Sequence, residues 1–558
     1  MNVGHRLVCH CTIWTLLLAM LVAMPLFAED APAKKKWTFM LYMAADNNLE
    51  GSADADLNEL ETVGSSDQVN IVVQLDRIGR YSQDSEFKWP EAKRFYVKKD
   101  ANLKKFSSPV MQELGEVDMA APGTLLDFVS WAAHTYPAER YALIFWNHGT
   151  GWKEISPQIM AAYDTVDTSR RPGLSPSMEA ALNTISYNIS YDDTSASSMD
   201  IPSLGATIAR IPGIIGQPLD LLGFDACLMQ MLEVAYEVGE HARYQVGAPD
   251  LEPDRGWPYD AIMQKLVAAP TMDGRKLGQT IVSTYKASYE AGTQGNTSVV
   301  LSLIDLSKVK GFTSALEGLA RALKEGIQEI DSIDQAREEA LKYVYKDYAD
   351  LGHFIQLLSV KLKGAAIRSS LAELKTYLQG SVDERLVISC ARTGEKYKNS
   401  HGLAVFLPDR EGFRTYKNRY KLLAMSKENG WFKFLQEYEA PGFPYICIQD
   451  ILLEDENRDG RFAPGELVTV GLQLKNLGTK PATKAHVTLD SASEYLEETK
   501  FAINLTELPA PRKEKIVSVF KFRIKPDAPL NQPVALSASL SGPQIPLSTA
   551  HTTFYLKS

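Results

Sequence analysis

The chain has 558 residues, of which 45% are hydrophobic and 23% charged. That is enough for a large buried core in three or four domains of about 150 residues each, so the composition excludes a mainly disordered protein. The formal net charge is −10, and without a basic excess we expect no nucleic-acid partner. The acidic excess lies in residues 29–450, which suits a cationic substrate but also serves solubility.

The first 28 residues have the pattern of a secretory signal. Arg6 precedes an apolar run from Ile13 to Phe27, and a small residue, Ala28, follows that run. The alternative is an uncleaved anchor, but polar residues and Pro25 make the run a poor membrane span. We therefore expect cleavage near residue 28, no membrane span afterwards, and export to the periplasm, the cell surface or the medium.

Three cysteines remain after the signal is removed: Cys227, Cys390 and Cys447. They are few, odd in number and far apart, so a disulfide scaffold is excluded and at least one thiol must be free.

Continuous apolar runs alternate with helical patterns through the first 440 residues, which predicts an α/β domain with a mostly parallel sheet over residues 36–440. The predicted strands are Trp37–Ala45, Val69–Asp76, Arg140–Gly149, Leu219–Cys227, Tyr244–Pro249, Thr297–Leu306, 386–391 and 402–408. The predicted helices lie near Asp54–Val63, Thr124–Tyr136, Ser203–Ile211 and Arg275–Tyr289 and over most of 307–378. Residues 150–190 are polar and irregular, as in a surface insertion.

The composition changes at Pro441–Pro444. Residues 445–558 carry short alternating strands separated by Pro, Gly and Asn, with no convincing helix. This pattern predicts an all-β, immunoglobulin-like sandwich as a second module.

Two predicted strands end in residues that could carry chemistry. His148 and Gly149 follow the first, and Cys227 ends the second at what we expect to be the start of a helix. The carboxyl ends of parallel strands are where such a sheet presents its catalytic groups. A neighbouring imidazole or a helix N-terminus makes a thiol nucleophilic by stabilising the thiolate. Alternatively, a lone cysteine among apolar neighbours is a buried hydrophobe, and a lone histidine after a strand is incidental.

Four ordered motifs resemble the clostripain family of cysteine peptidases, in the group that includes caspases, legumain and gingipains. The motifs are WTFMLYMAADNNLE, YALIFWNHGTGW, LDLLGFDACLMQMLEVAYEV and DLEPDRGWPYD, and the resemblance covers roughly residues 36–408. It implies a caspase-like α/β fold with Cys227 as nucleophile and His148 as its partner. It also implies that Gly149 and Cys227 lend backbone N–H groups to an oxyanion hole.

The resemblance further implies an acidic pocket for the substrate residue before the cleaved bond. Asp225 lies where family members carry an acid of that pocket, and Asp250 and Asp254 are further candidates. A carboxylate there favours Arg or Lys, and Arg more because its guanidinium can donate two hydrogen bonds to it. The alternative for Asp250 and Asp254 is that they are solvated loop acids. The expected partners are peptides or proteins with basic residues.

The chain departs from the family pattern by an insertion of some 35 residues before Ile189. It contains Arg170 and Arg171, followed by Pro172, which disfavours cleavage after Arg171. One hypothesis is that the segment covers the site in a zymogen and is cut by the enzyme at or near Arg170. The alternative is a solvated loop that never interferes.

A second motif lies in the C-terminal module and fits the pattern of a calcium-binding loop. The ligands would be Asp455, Asn457, Asp459, the backbone carbonyl of Arg461 and a bidentate Glu466. The flanking sequence is strand-like, so this is not a helix–loop–helix EF-hand, and a turn without metal is the alternative. We expect catalysis itself to require no cofactor.

The sequence thus predicts an exported cysteine endopeptidase that cleaves after basic residues. The alternative is an exported binding or adhesion protein on the same scaffold, with a protein or surface partner for the β-sandwich.

Overall fold

The structure is a computed structural model that describes residues 34–79, 89–102, 105–153, 188–325, 329–440, 442–543 and 545–557. The predicted signal segment, most of the predicted insertion, and Arg170 and Arg171 lie outside the described residues.

The strands of the first 440 residues are β1 Lys35–Ala45, β2 Val69–Arg77, β3 Ala92–Tyr96, β4 Val110–Gly115, β5 Ala138–Trp146, β6 Ile189–Asp192, β7 Ser197–Met199, β8 Leu221–Asp225, β9 Tyr244–Gly247, β10 Glu290–Gly292, β11 Gly295–Asn296, β12 Val300–Asp305, β13 Tyr348–Asp350, β14 Val387–Arg392 and β15 Ala404–Phe406. The C-terminal strands are β16 Ile446–Glu454, β17 Leu467–Asn476, β18 Ala485–Asp490, β19 Lys500–Leu505, β20 Glu514–Arg523, β21 Pro533–Gly542 and β22 Ile545–Tyr555.

The α-helices are α1 Glu50–Val63, α2 Pro122–Thr135, α3 Ile201–Ile208, α4 Ile211–Ile215, α5 Leu232–Val238, α6 Tyr259–Ala268, α7 Gly274–Tyr289, α8 Val309–Glu325, α9 Ile330–Glu339, α10 Leu351–Lys361, α11 Ala365–Gln379, α12 Arg410–Tyr420, α13 Ala424–Glu428 and α14 Trp431–Glu439.

Nine strands form one sheet in the order β14-β12-β9-β8-β5-β1-β2-β3-β4. The five central strands, β9, β8, β5, β1 and β2, pair in parallel. The predicted fold class, a mostly parallel sheet with helices, is therefore confirmed. The edge strands β3, β4, β12 and β14 join by antiparallel pairing, and β15 pairs with β13 outside the large sheet.

The sheet separates two hydrophobic cores, and alternate residues of its strands face opposite sides. On β1, for example, Phe39 and Leu41 enter the core that contains α1, α6 and α7. Met40 and Tyr42 enter the other core, with α2, α3, α5 and α8. Burial on both faces explains why this strand is a continuous apolar run rather than an alternating one.

The C-terminal strands form two antiparallel sheets, β16-β17-β20 and β19-β18-β21-β22, with a core of their own. This agrees with the predicted all-β module. Among the described residues, no helix combines the length and the apolar character that a membrane crossing requires.

Candidate active site

The two candidate catalytic residues follow the carboxyl ends of two neighbouring parallel strands, at equal distances along the chain from one paired position. β5 and β8 pair in parallel, with Trp146 opposite Asp225. His148 and Cys227 each lie two residues beyond that pair. Parallel pairing therefore brings together two segments that are far apart in sequence, as the motifs predict.

Gly149 lies directly against the cysteine segment. A Cβ atom at this position would be 2.3 Å from the backbone oxygen of Cys227 and 3.1 Å from Cβ of Ala226. A side chain at residue 149 would thus collide with backbone, so only glycine permits this approach of the two strand ends.

Cys227 is not at a helix N-terminus, and that prediction is wrong. A turn follows β8 at residues 226–228, Leu228 has a φ of +65°, and α5 begins only at Leu232. The sequence LMQM favours helix by composition. However, Leu228 N donates to Asp250 O and Gln230 N donates to Ala248 O, so tertiary hydrogen bonds hold the segment in another conformation. A helix dipole therefore does not activate this thiol.

The Cys227 thiol is held by the loop that follows β9. Its Sγ accepts from the backbone N–H of Glu252 at 3.2 Å and lies 3.8 Å from the carbonyl oxygen of the same residue. Burial, followed by the negative charges of Glu252, Asp250 and Asp225, raises the pKa of Cys227 to about 12. The thiol is thus protonated at neutral pH in this structure.

His148 contacts a residue from a third segment. Its Nε2 lies 2.7 Å from the side-chain oxygen of Asn48, so the ring N–H can donate to that oxygen. Asn48 follows β1, and the preceding Asn47 is anchored by donating to the carbonyl oxygens of Ala44 and Tyr191. We did not predict Asn48. The family-like motif NNLE contained it, but only the parallel register of β1 and β5 places it beside His148.

Asp225 lies beneath the loop that leads into α6. Its Oδ2 accepts from Trp257 N at 3.3 Å and from the Tyr259 hydroxyl at 2.7 Å. A Cβ atom on Gly256 would lie 2.9 Å from each of its oxygens. Asp225 is only 5% exposed, and burial raises its pKa. The predicted pocket acid is thus next to the nucleophile but covered.

Glu252 is a second acid at this place, and the sequence motifs did not predict it. Both its carboxylate oxygens are buried, and the carboxyl group interacts with the side chains of Asp225 and Trp257. Burial, followed by the charge of Asp225, raises its pKa well above the ordinary value. The motif DLEPDRGWPYD contained Glu252, but only the path of the loop shows that its carboxylate is buried.

Asp250 and Asp254, the other two candidate pocket acids, differ sharply in surroundings. Asp250 is buried, accepts from Val344 N and the Tyr397 hydroxyl, and pairs with Lys396 at 2.9 Å. Asp254 is exposed. The oxygens of Asp250 thus already have donors, whereas Asp254 is open to solvent.

A family model, described as the Clostripain family of C11 peptidases, matches residues 41–183 and 179–438, well over half of the chain. The chain belongs to the clostripain family. It is therefore a cysteine peptidase, and the predicted family and enzyme class are both confirmed.

The chain is also similar to individual proteins. Clostripain of Hathewaya histolytica is 25% identical over 443 residues, which cover 69% of this chain and 77% of the relative. A secreted C11 cysteine protease from Bacteroides thetaiotaomicron, solved with an irreversible peptide inhibitor, is 19% identical with a TM-score of 0.48, covering 72% of this chain and 99% of that one. An inactive zymogen C11 protease from Parabacteroides distasonis is 19% identical with a TM-score of 0.49, covering 71% and 98%.

The candidate calcium loop lies outside the part that matches the family and forms a tight turn between β16 and β17. Asp455 accepts from the backbone N–H groups of Asp459 and Gly460, and Asp459 accepts from that of Arg461. The Asn457 amide donates to Glu466 at 2.7 Å. The predicted ligands therefore do cluster, but the amide N–H₂ of Asn457 faces Glu466, so calcium binding would require this amide to turn over.

Proposed function

We propose that the chain is an exported cysteine endopeptidase in which Cys227 and His148 act as a dyad on bonds that follow a basic residue. The observation that carries the proposal is the approach of the two strand ends. Trp146 pairs with Asp225, and Gly149 touches the Cys227 backbone. A nucleophile, a proton carrier and a backbone free of side chains thus share one edge of the sheet.

The chemistry follows from these groups. The Cys227 thiolate adds to the substrate carbonyl carbon, and backbone N–H groups of Gly149 and Cys227 stabilise the oxyanion. The C–N bond then breaks as His148 gives its proton to the leaving amine, which leaves an acyl group on the sulfur. His148 next takes a proton from water, and the resulting hydroxide displaces the sulfur, which releases the acid and restores the Cys227 thiolate. Asn48 orients the imidazole through its side-chain oxygen.

Two buried acids support a preference for a cationic substrate residue. The charge of Asp225 raises the pKa of Glu252, whereas a hydrogen bond from Glu252 lowers the pKa of Asp225, so the two carboxyl groups lie within reach of each other. Such a pair is best satisfied by a cation, and a guanidinium can donate to both. The buried state of both acids means that the loop at residues 252–257 must move to admit the side chain.

Fluorogenic peptides that differ only in Arg, Lys or Gln before the cleaved bond test this specificity. We expect hydrolysis in the order Arg, Lys, Gln, and we expect Glu252→Gln to reduce the Arg-to-Gln ratio of kcat/KM by at least about tenfold. Asp67→Asn, which removes an exposed acid outside the site, is the control for loss of one negative charge. A wild-type enzyme that cleaves the Gln peptide as fast as the Arg peptide would exclude the proposed pocket.

The protonated thiol supports a resting precursor that is activated by cutting. In the uncut chain Cys227 bonds to the Glu252 backbone, and its pKa of about 12 leaves almost no thiolate at pH 7. We place the cut at or near Arg170, since Pro172 disfavours cleavage after Arg171. Incubating wild type beside Cys227→Ala and Arg170→Gln distinguishes the alternatives. We expect the wild-type chain to be cut and both variants to stay intact. A wild-type enzyme that is fully active while its chain is intact would exclude activation by self-processing.

The proposal of export is based on the secretory-signal pattern of residues 1–28. N-terminal sequencing of the protein recovered from outside the cytoplasm tests whether this segment is removed. We expect the mature chain to begin near Glu29. Retention of Arg6 in the recovered protein would favour the uncleaved anchor instead.

For the C-terminal module we propose calcium binding by Asp455, Asn457, Asp459, Arg461 and Glu466. Calcium would replace the internal hydrogen bonds of the turn with six to eight oxygen ligands. The measurement is the unfolding midpoint of the full chain in calcium and in chelator, for wild type and Glu466→Gln. If the substitution leaves the calcium-induced shift intact, this loop is a turn without metal.

A further inference from the structure

The turn that follows Gly149 is held by a buried tyrosine from a distant part of the chain. Tyr348 lies at the start of β13 and has no exposed surface. Its hydroxyl donates to the carbonyl oxygen of Thr150 at 3.0 Å and accepts from the backbone N–H of Lys153 at 3.2 Å. One phenol oxygen therefore joins both ends of the turn at residues 150–153, and it acts as donor at one end and as acceptor at the other.

The same turn is also held by the chain that leads into β6. Gly149 pairs with Ile189 in an isolated antiparallel bridge, and Thr150 N donates to the carbonyl oxygen of Asn188 at 3.1 Å. Both polar groups of the Thr150 backbone thus have a protein partner, and Tyr348 supplies the one for the carbonyl. Thr150 is fully buried, and a buried carbonyl that loses its donor is costly.

Tyr348 meets the turn at the place where the turn packs against the cysteine segment. Gly151 has a φ of +64°, and a Cβ atom on it would lie 3.2 Å from the Tyr348 hydroxyl oxygen and 3.1 Å from the carbonyl oxygen of Leu228. Leu228 directly follows Cys227. The hydroxyl, the turn and the cysteine segment thus form one packed contact, so a movement of the turn changes the approach of Gly149 to Cys227.

Other contacts fix Tyr348 independently of the turn. Its strand β13 pairs with β15, with Tyr348 opposite Phe406. Asp350, at the other end of β13, accepts from His353 N at the start of α10. Burial raises the pKa of the Tyr348 hydroxyl well above its ordinary value, so this hydroxyl is protonated and can donate at neutral pH.

The segment that carries Tyr348 also contacts the loop that holds the nucleophile. Val344 N donates to the Asp250 carboxylate at 2.9 Å, and the backbone oxygen of Asp250 accepts from Leu228 N at 3.1 Å. Residues 344–348 therefore contact both the turn after Gly149 and the loop that supports the turn after Cys227. The sequence motifs did not include this segment, which lies beyond the last of them.

We propose that Tyr348 is a positioning residue for catalysis, whose hydroxyl fixes the turn at residues 150–153 and through it the backbone of Gly149. This positioning role rests on the proposed function, in which the Gly149 N–H stabilises the oxyanion. Because that stabilisation depends on donors that are already in place, a small displacement of this backbone lowers the rate without weakening substrate binding. If Tyr348 only filled the core, loss of its hydroxyl would lower stability without this selective effect.

The first test is Tyr348→Phe, which removes the hydroxyl and keeps the ring. Tyr141→Phe is the matched control, because Tyr141 is a buried tyrosine near the other end of β5, and its hydroxyl accepts from Ala138 N at 3.0 Å. Both proteins are assayed with an Arg peptide after circular dichroism has shown that they fold. We expect Tyr348→Phe to lower kcat at least about tenfold with KM within about threefold of wild type, and Tyr141→Phe to keep the wild-type kcat.

Two reagents separate the oxyanion hole from the nucleophile. The Cys227 thiol adds across the C=O bond of a peptidyl-arginine aldehyde, so that sulfur bonds to carbon, the thiol proton goes to oxygen, and this oxygen takes the place of the oxyanion. Iodoacetamide instead alkylates the sulfur with loss of iodide and needs no oxyanion. Tyr348→Phe should weaken aldehyde inhibition by at least about tenfold and leave the alkylation rate of Cys227 within about twofold of wild type. Equal losses in both reactions, or none in either, would overturn the proposal.

Thr150→Val tests the same turn without altering Tyr348. It removes the hydrogen bond from the Thr150 hydroxyl to the carbonyl oxygen of Lys153 at 2.6 Å and preserves the side-chain shape. We expect the same pattern, with lower kcat, weaker aldehyde inhibition and unchanged alkylation. If both variants fold and keep the wild-type kcat, Tyr348 has no positioning role. A wild-type enzyme that does not hydrolyse the Arg peptide would instead refute the proposed function, and with it this role of Tyr348.

Discussion

Gly149 and Cys227 touch through backbone atoms, so that a Cβ on residue 149 would lie 2.3 Å from the cysteine carbonyl oxygen. This contact fixes the path of both strand ends. It also leaves residue 149 without a side chain where it meets the cysteine segment.

Gly149→Ala should therefore reduce kcat/KM by about a hundredfold or more, because backbone must shift to remove the collision and small displacements at a reacting centre are costly. Gly123→Ala is the matched control, since a Cβ atom there meets nothing within 4 Å. Both proteins are assayed with an Arg peptide after circular dichroism has shown that they fold. An active Gly149→Ala enzyme would contradict the close approach.

Asn48→Ala should lower kcat by about tenfold with little change in KM, because it removes the acceptor that orients His148. Asn48→Asp should move the alkaline limb of the pH profile of kcat to higher pH, since a carboxylate stabilises the imidazolium that protonates the leaving amine. Asn504→Ala removes the partner of His486 in the C-terminal module and serves as control. Identical pH profiles for wild type and Asn48→Asp would exclude the positioning role.

The Cys227 thiol of the uncut chain should react with iodoacetamide at a rate that rises about tenfold per pH unit from pH 6 to 9, without a plateau. The reason is its raised pKa of about 12, below which the thiolate fraction grows tenfold per unit. Agmatine, a small guanidinium compound, should accelerate the reaction because it offsets the charges of Asp225 and Glu252. The difference from Cys227→Ala, measured by mass spectrometry, isolates this thiol. A plateau near pH 7 would instead indicate a preformed thiolate.

A buried ion pair stabilises the position of the segment that follows Gly149. Lys153 Nζ lies 2.5 Å from Asp347, both side chains are almost fully buried, and the ammonium is 4.1 Å from the Tyr416 ring centroid. Lys153→Met should cost about 3–5 kcal/mol of unfolding free energy because it leaves Asp347 buried without a partner. Lys346→Met breaks an exposed pair with Asp409 and should cost less than about 1 kcal/mol.

Denaturant unfolding measures both variants. Adding Asp347→Leu to Lys153→Met should recover most of the loss, since it removes the orphaned charge. Equal costs for the buried and the exposed lysine would contradict the assigned role of burial.

The central strands were predictable because burial on both faces leaves an unbroken apolar run. Trp37–Ala45 was predicted where β1 spans Lys35–Ala45, and Val69–Asp76 where β2 spans Val69–Arg77. The antiparallel edge strands β3 and β4 were not predicted, since β4 is largely exposed and its pattern carries little hydrophobic signal. Periodicity thus identifies buried elements better than edge elements.

The residues of the candidate site also differ in whether the sequence predicts them. His148, Gly149 and Cys227 follow apolar strands and belong to recognisable motifs, so the sequence predicted them. Asn48 and Glu252 act through contacts between separate segments, which only the register and loop path reveal. The helix predicted at Cys227 failed because tertiary hydrogen bonds outweighed local propensity.

Covalent labelling with a peptidyl-arginine chloromethyl ketone tests the dyad most directly. Such a reagent requires the substrate pocket, an ionisable thiol and an imidazole in one place. After processing, we expect mass spectrometry to find the label on Cys227 alone in wild type, with at least about a hundredfold slower labelling in His148→Ala. Labelling at Cys390 or Cys447, or an undiminished rate without His148, would contradict the proposed pairing of His148 with Cys227.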